Sequence, residues 1–112
     1  MNNYPIYGNI LCYNELPDIQ RCLDSMTGIT DKTFIVDSFS TDGTWEWLNN
    51  VKDVYNLELF QRKFTTFGDQ RQFLLDQTPV NSWILCIDAD EAFSTTGALH
   101  LRDDVIHMIP EA

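Results

Sequence analysis

Four short runs rich in β-branched and aromatic residues, Ile6 to Tyr13, Thr33 to Asp37, Leu57 to Gln61 and Trp83 to Ile87, are each bounded by turn formers and separated by helical periodicity. Between the first two, Leu16, Ile19, Leu23 and Met26 recur at spacings of three, four and three, with Pro17 suited to a first helical turn and Gly28 to a stop. Trp45, Leu48 and Val51 mark a second helix entered through Thr41-Asp42-Gly43. Phe73, Leu74 and Gln77 mark a third, closed by Pro79. Ser94, Thr95 and Thr96 offer N-caps for a last helix, whose side of Leu99, Arg102, Ile106 and Ile109 is widened by Leu101, Val105 and Met108 before Pro110. Strands that alternate with helices predict parallel βαβ units with right-handed crossovers, and hence an open α/β sheet of about four strands with helices on both faces.

In such sheets ligands bind beyond the carboxyl ends of the strands, where the winding direction reverses. The polar residues follow that rule. Asn14 and Glu15 end the first strand, Asp37 ends the second, and Asp88 and Asp90 end the fourth. The run Ser82 to Glu91 passes from an apolar strand into three carboxylates within four positions. Like charges so close resist joint ionisation unless water or a bound cation neutralises them. A solvated acidic loop is the plainer reading of that cluster, and a turn or helix-capping aspartate the plainer reading of Asp37. Ala92 and Phe93 exclude an EF-hand, which needs an oxygen ligand and a glycine there. Asp42 and Gly43 read as a helix entry, with the glycine permitting a positive φ. Trp45 and Trp83 read as core. His100 and His107, about 10 Å apart on a helix, are too distant to share a metal.

The 112 residues, 44% of them hydrophobic, suffice for one domain over 1–112 and are too few for two ordinary ones. Seven basic residues against seventeen acidic ones give a formal charge of −10, which repels nucleic acid and anionic membranes. A small phosphorylated ligand remains open through a divalent cation, which would reverse the local sign. Cys12, Cys22 and Cys86 form no C-x-x-C pair, and Cys12 and Cys86 lie within strand patterns, where cysteine acts as a small hydrophobe. Together with a start lacking a basic or apolar leader and the lack of any membrane-length apolar run, this predicts a cytoplasmic chain without a membrane span.

Three segments together resemble the N-terminal, nucleotide-binding half of a family 2 glycosyltransferase, with its Rossmann-like GT-A fold. They are Leu11-Cys12-Tyr13-Asn14-Glu15, Val36 to Thr44, and the D-x-D motif in Ile87-Asp88-Ala89-Asp90-Glu91, and the resemblance runs over about residues 6 to 95. It implies a nucleoside-diphosphate sugar as ligand, with a UDP-sugar favoured. It implies that Asn14 and Glu15 lie along the ribose and base, and that Asp37 accepts a hydrogen bond from the base. Asp88 would approach the ribose or a metal-bound water, Asp90 would coordinate Mg²⁺ or Mn²⁺ across the two phosphates, and Arg71 would face the diphosphate. A hard cation held by one or two carboxylates suits a departing diphosphate, whose oxygen gains negative charge. Members of the family continue for about as long again after this half. That further part holds the acceptor site and the catalytic base, so the chain is expected to be truncated relative to a full GT-A transferase, with no residue assignable as base; Glu91, Asp103 and Asp104 do not match that motif.

Two other readings compete. A Mg²⁺-dependent phosphohydrolase also uses D-x-D at a strand end, but carries it on the first strand and needs a downstream lysine that this sequence lacks. A non-catalytic assembly module would keep the sheet and pair with itself or with a partner chain covering the edge of the fourth strand.

Overall fold

Alternation along the first strand divides its side chains between two helical layers, and that division builds the molecule. The computed structural model describes residues 4–90. The expected last helix between Ser94 and Pro110, together with Glu91, His100, Asp103, Asp104 and His107, lies outside the described residues. The elements follow as β1 (Ile6–Cys12), α1 (Leu16–Met26), β2 (Lys32–Asp37), α2 (Thr44–Tyr55), β3 (Leu57–Gln61), α3 (Phe67–Gln77) and β4 (Trp83–Cys86). All pairings are parallel and the strand order is β3-β2-β1-β4. This is the expected α/β sheet, with strand boundaries within a residue of those read from the sequence.

On one face Ile10 and Cys12 of β1 meet Ile19, Cys22, Leu23 and Met26 of α1, while Ile35, Leu48 and Leu57 extend the same core under α2. Full burial of each large aliphatic side chain here contributes about 2 kcal/mol. On the other face Tyr7 and Leu11 of β1 join Phe34 and Val36 of β2 against Leu74 and Phe73 of α3. Gly8 lets α1 come close, since a Cβ there would meet Met26 Cε at 2.6 Å and Thr33 Oγ1 at 3.1 Å. Two expectations change at this level. Trp47, not Trp45, packs against the core with Leu48 and Val51. Cys86 is exposed rather than buried, because β4 is an edge strand among the described residues.

From β1 the chain winds through α1, β2, α2 and β3 in one direction, then returns over the opposite face through α3 to place β4 on the far side of β1. Winding therefore reverses between β1 and β4, and the loops after these strands part there. Among the described residues no helix is long and apolar enough to cross a membrane.

Candidate functional site

A cleft of about 520 Å³ opens at this reversal, lined by residues that follow β1 (Tyr13, Glu15), β2 (Ser38) and β4 (Asp88, Ala89, Asp90), with Phe64, Phe67 and Gln70 on the α3 side. Its volume lies within the range of small-molecule sites. In the D-x-D segment beyond the end of β4, Ile87 and Ala89 are buried in the core under α1, whereas Asp88 and Asp90 are exposed. Arg71 of α3 approaches Asp88, Nη2 to Oδ1, at 3.7 Å. Both side chains are well exposed, so the pair positions more than it stabilises.

Glu15 faces the same two aspartates. Its carboxyl is raised above the ordinary glutamate value, first by desolvation and then by the charges of Asp90, Asp18, Asp42 and Asp88. A raised acid binds its proton more tightly folded than unfolded, so the chain loses stability as pH climbs from the unfolded value of 4.5 through the raised one. Glu15→Gln should therefore raise the melting temperature at neutral pH, with the gain vanishing below the ordinary glutamate range. Thermal melts of both proteins across pH 3.5 to 7.5, roughly spanning that range, check this, and equal melting temperatures at pH 7 would refute it.

Asn14 and Asp37, expected along the ribose and base, are not among the residues that line the cleft. Asp37 is 0% exposed. Its Oδ2 accepts from Ser40 N at 2.9 Å and Gln61 Nε2 at 3.4 Å, and its Oδ1 accepts from the Ser40 hydroxyl. In this conformation the carboxylate offers no surface to a ligand, because the turn after β2 folds back over it. Asn14, at φ 51°, takes a left-handed conformation that asparagine tolerates. Its Oδ1 accepts from Thr41 N at 2.7 Å and its own N–H donates to Ser40 Oγ at 2.8 Å. The two residues thus lock the β1 and β2 end loops together.

Asp42 completes that lock in the structural role read from the sequence. Its Oδ2 accepts from Leu16 N at 3.2 Å, capping α1 from another loop, and its Oδ1 accepts from Thr44 N at 3.0 Å and from the Thr44 hydroxyl. The hydrogen bond from the Thr44 hydroxyl is the main cause holding this carboxyl below its ordinary value. Cys12, beneath the rim, has its thiol pushed far up by burial and by Asp37, and is no nucleophile at neutral pH.

Sequence reasoning missed two members of the site. Arg21 of α1 donates from Nη2 to the Asp90 carbonyl at 2.9 Å and fixes the backbone of the D-x-D segment. Gln70 is 1% exposed and lies between β2 and β3 ends, bonded to Ser38 and Arg62. Contacts across 69 and 32 positions leave no local periodic signal. Among the described residues no three His, Cys, Asp or Glu side chains gather closely enough to enclose a metal ion by themselves.

A parallel sheet that reverses beside its first strand and collects carboxylates there defines an α/β protein with an acidic cleft at the switch point. The sequence profile of Glycosyl transferase family 2 matches residues 10–100, and the chain belongs to that family. An uncharacterised glycosyltransferase of Rickettsia prowazekii is 32% identical over 96 residues, covering 86% of this chain and 30% of the relative. The SPbeta prophage-derived glycosyltransferase SunS of Bacillus subtilis is 28% identical over 85 residues, covering 76% of this chain and 20% of the relative. The crystal structure of S. aureus TarS 1–349 in complex with UDP-GlcNAc superposes with a TM-score of 0.73 at 22% identity, over 90% of this chain and 30% of that one. That likeness concerns the fold, which is that of GT-A glycosyltransferases. The chain spans about 30% of the length of the Rickettsia relative. Family membership removes the phosphohydrolase reading.

Proposed function

We propose that this chain is the donor-binding portion of a glycosyltransferase, which holds a nucleoside-diphosphate sugar, a UDP-sugar in first place, in the cleft between the ends of β1, β2 and β4. The observation that carries the reading is the meeting of Glu15, Asp88 and Asp90 in one cleft at the reversal point, with Arg71 beside Asp88. The UDP-GlcNAc complex of the structurally similar TarS supports the choice of ligand class.

Asp88 and Asp90 fit a hard divalent cation, Mg²⁺ or Mn²⁺. They would supply carboxylate oxygens to one cleft and leave coordination positions for water and phosphate, as these ions prefer over closed protein cages. When bound, the cation would neutralise charge on the departing diphosphate. The chain's own residues do the rest. Arg71 brings a guanidinium to the rim, Arg21 holds the Asp90 backbone, and the Asn14-Ser40-Asp37 lock keeps the rim in place. Transfer to an acceptor is proposed for the whole protein, with the acceptor and base lying outside the residues assigned here.

Calorimetric titration of the 112-residue chain with UDP, UDP-GlcNAc and GDP-mannose, each with and without Mn²⁺, tests the reading. Heat and a thermal shift with the UDP ligands that require Mn²⁺ are expected. No response under any of these conditions would end it.

A further inference from the structure

Asp37, which the family resemblance casts as reader of the base, is closed off, yet its neighbour Ser38 lines the cleft. The hydrogen-bond network behind Ser38 determines what that hydroxyl can do. Arg62 donates from Nη1 to Gln70 Oε1 at 2.7 Å. A guanidinium can only donate, so the Gln70 amide has a single orientation, with its NH₂ turned the other way. That NH₂ spends both protons internally, on Ser38 Oγ at 3.1 Å and on the Arg62 carbonyl at 3.2 Å. Ser38 Oγ is therefore an acceptor toward the protein, and its own proton has no acceptor among the described residues. The network is held firmly. Gln70 is 1% exposed, Arg62 sits 5.6 Å over the Phe73 ring, and Arg62 N donates to the Asp37 carbonyl at 3.1 Å.

We infer that Ser38, with its hydroxyl proton turned into the cleft by Gln70, is the specificity-determining donor to a carbonyl oxygen of the ligand's nucleobase, and that Gln70 is its positioning residue. This rests on the nucleotide-sugar reading above and names the side chain that reads the base. Placement supports it. Ser38 follows β2 and the D-x-D follows β4, two strand spacings or about 10 Å away across β1, which suits the separation of a pyrimidine ring from its second phosphate. Phe64 and Phe67 line the same cleft, their centroids 5.1 Å apart, and present exposed aromatic surface of the kind on which bases stack. The acids stand on the other side, after β1 and β4, away from a base and near a phosphate-bound cation.

The test compares the wild-type chain with Ser38→Ala, Ser38→Thr and Gln70→Met, titrated in Mn²⁺ with UDP, with ADP, whose base has no carbonyl, and with inorganic pyrophosphate, which has no base. Loss of one neutral hydrogen bond should weaken UDP about five- to tenfold in Ser38→Ala. ADP and pyrophosphate should be unaffected, so the preference for UDP over ADP narrows. Ser38→Thr keeps the hydroxyl and should restore UDP binding, whereas Gln70→Met should resemble Ser38→Ala. If Ser38→Ala binds UDP as the wild type does, or loses pyrophosphate equally, the inference is overturned while the nucleotide-sugar reading stands. If wild type binds pyrophosphate but not UDP, both fall.

Discussion

Asp37→Ala should cost about 3 kcal/mol of folding stability, because it removes a fully buried acceptor shared by several part-buried donors at once, and each lost partner costs about 1–3 kcal/mol. Ser40 N, the Ser40 hydroxyl and Gln61 Nε2 all point at a carboxylate with no exposed surface. The alanine methyl accepts from none of them. Asp37→Asn should lose much less, about 1 kcal/mol, because its amide oxygen can take Ser40 N while its NH₂ donates to Ser40 Oγ. Urea denaturation at constant slope measures both differences. The loss should also spread, since Ser40 Oγ accepts from Asn14 N and couples the turn to the end of β1. Faster amide exchange at Asn14 and Ser40 in Asp37→Asn would report that loosening. An Asp37→Ala protein as stable as wild type would show that the turn does not depend on this carboxylate.

Asp37 also marks where the sequence ceases to be informative. Runs of β-branched and aromatic residues bounded by turn formers identified each described strand, and apolar spacings of three and four each described helix. The sequence put Asp88 and Asp90 at the end of the fourth strand, and the structure leaves both exposed with Ala89 between them in the core. Which strand end meets which, and whether a polar side chain faces ligand or protein, depends on loop geometry that no period encodes. Asp37 and Asp88 have the same sequence signature, an acid after an apolar run, yet one is sealed by Ser40 and the other is exposed. The packing of half-buried Trp47, rather than Trp45, against the core cluster has a similar origin, for both lie near the apolar side of α2. Cys86 reads as core until the strand order makes β4 an edge. Gln70 and Arg21, ordinary surface residues by type, acquire their roles only through bonds to distant segments.

Asp90→Ala should remove Mn²⁺-dependent UDP binding, a loss of at least about a hundredfold, since even groups one shell removed from a metal cost about 10–100-fold when changed. Asp88→Ala should weaken binding too, and it also releases Arg71, whose Nη2 lies 3.7 Å from Asp88 Oδ1. Stability should move the other way. Both aspartates contribute to raising the Glu15 carboxyl, so removing either relieves repulsion and should leave the melting temperature unchanged or slightly higher at pH 7. That opposition separates the site from the scaffold: a variant that loses ligand while keeping its melt has lost a ligand contact, whereas Asp37→Ala loses its melt first. Arg21→Ala provides the intermediate case, because it frees the Asp90 carbonyl but leaves the carboxylate in place. It should bind Mn²⁺ and UDP more weakly than wild type and more strongly than Asp90→Ala. Titration of the three variants beside wild type measures the order, and retention of wild-type affinity by Asp90→Ala would locate the cation elsewhere.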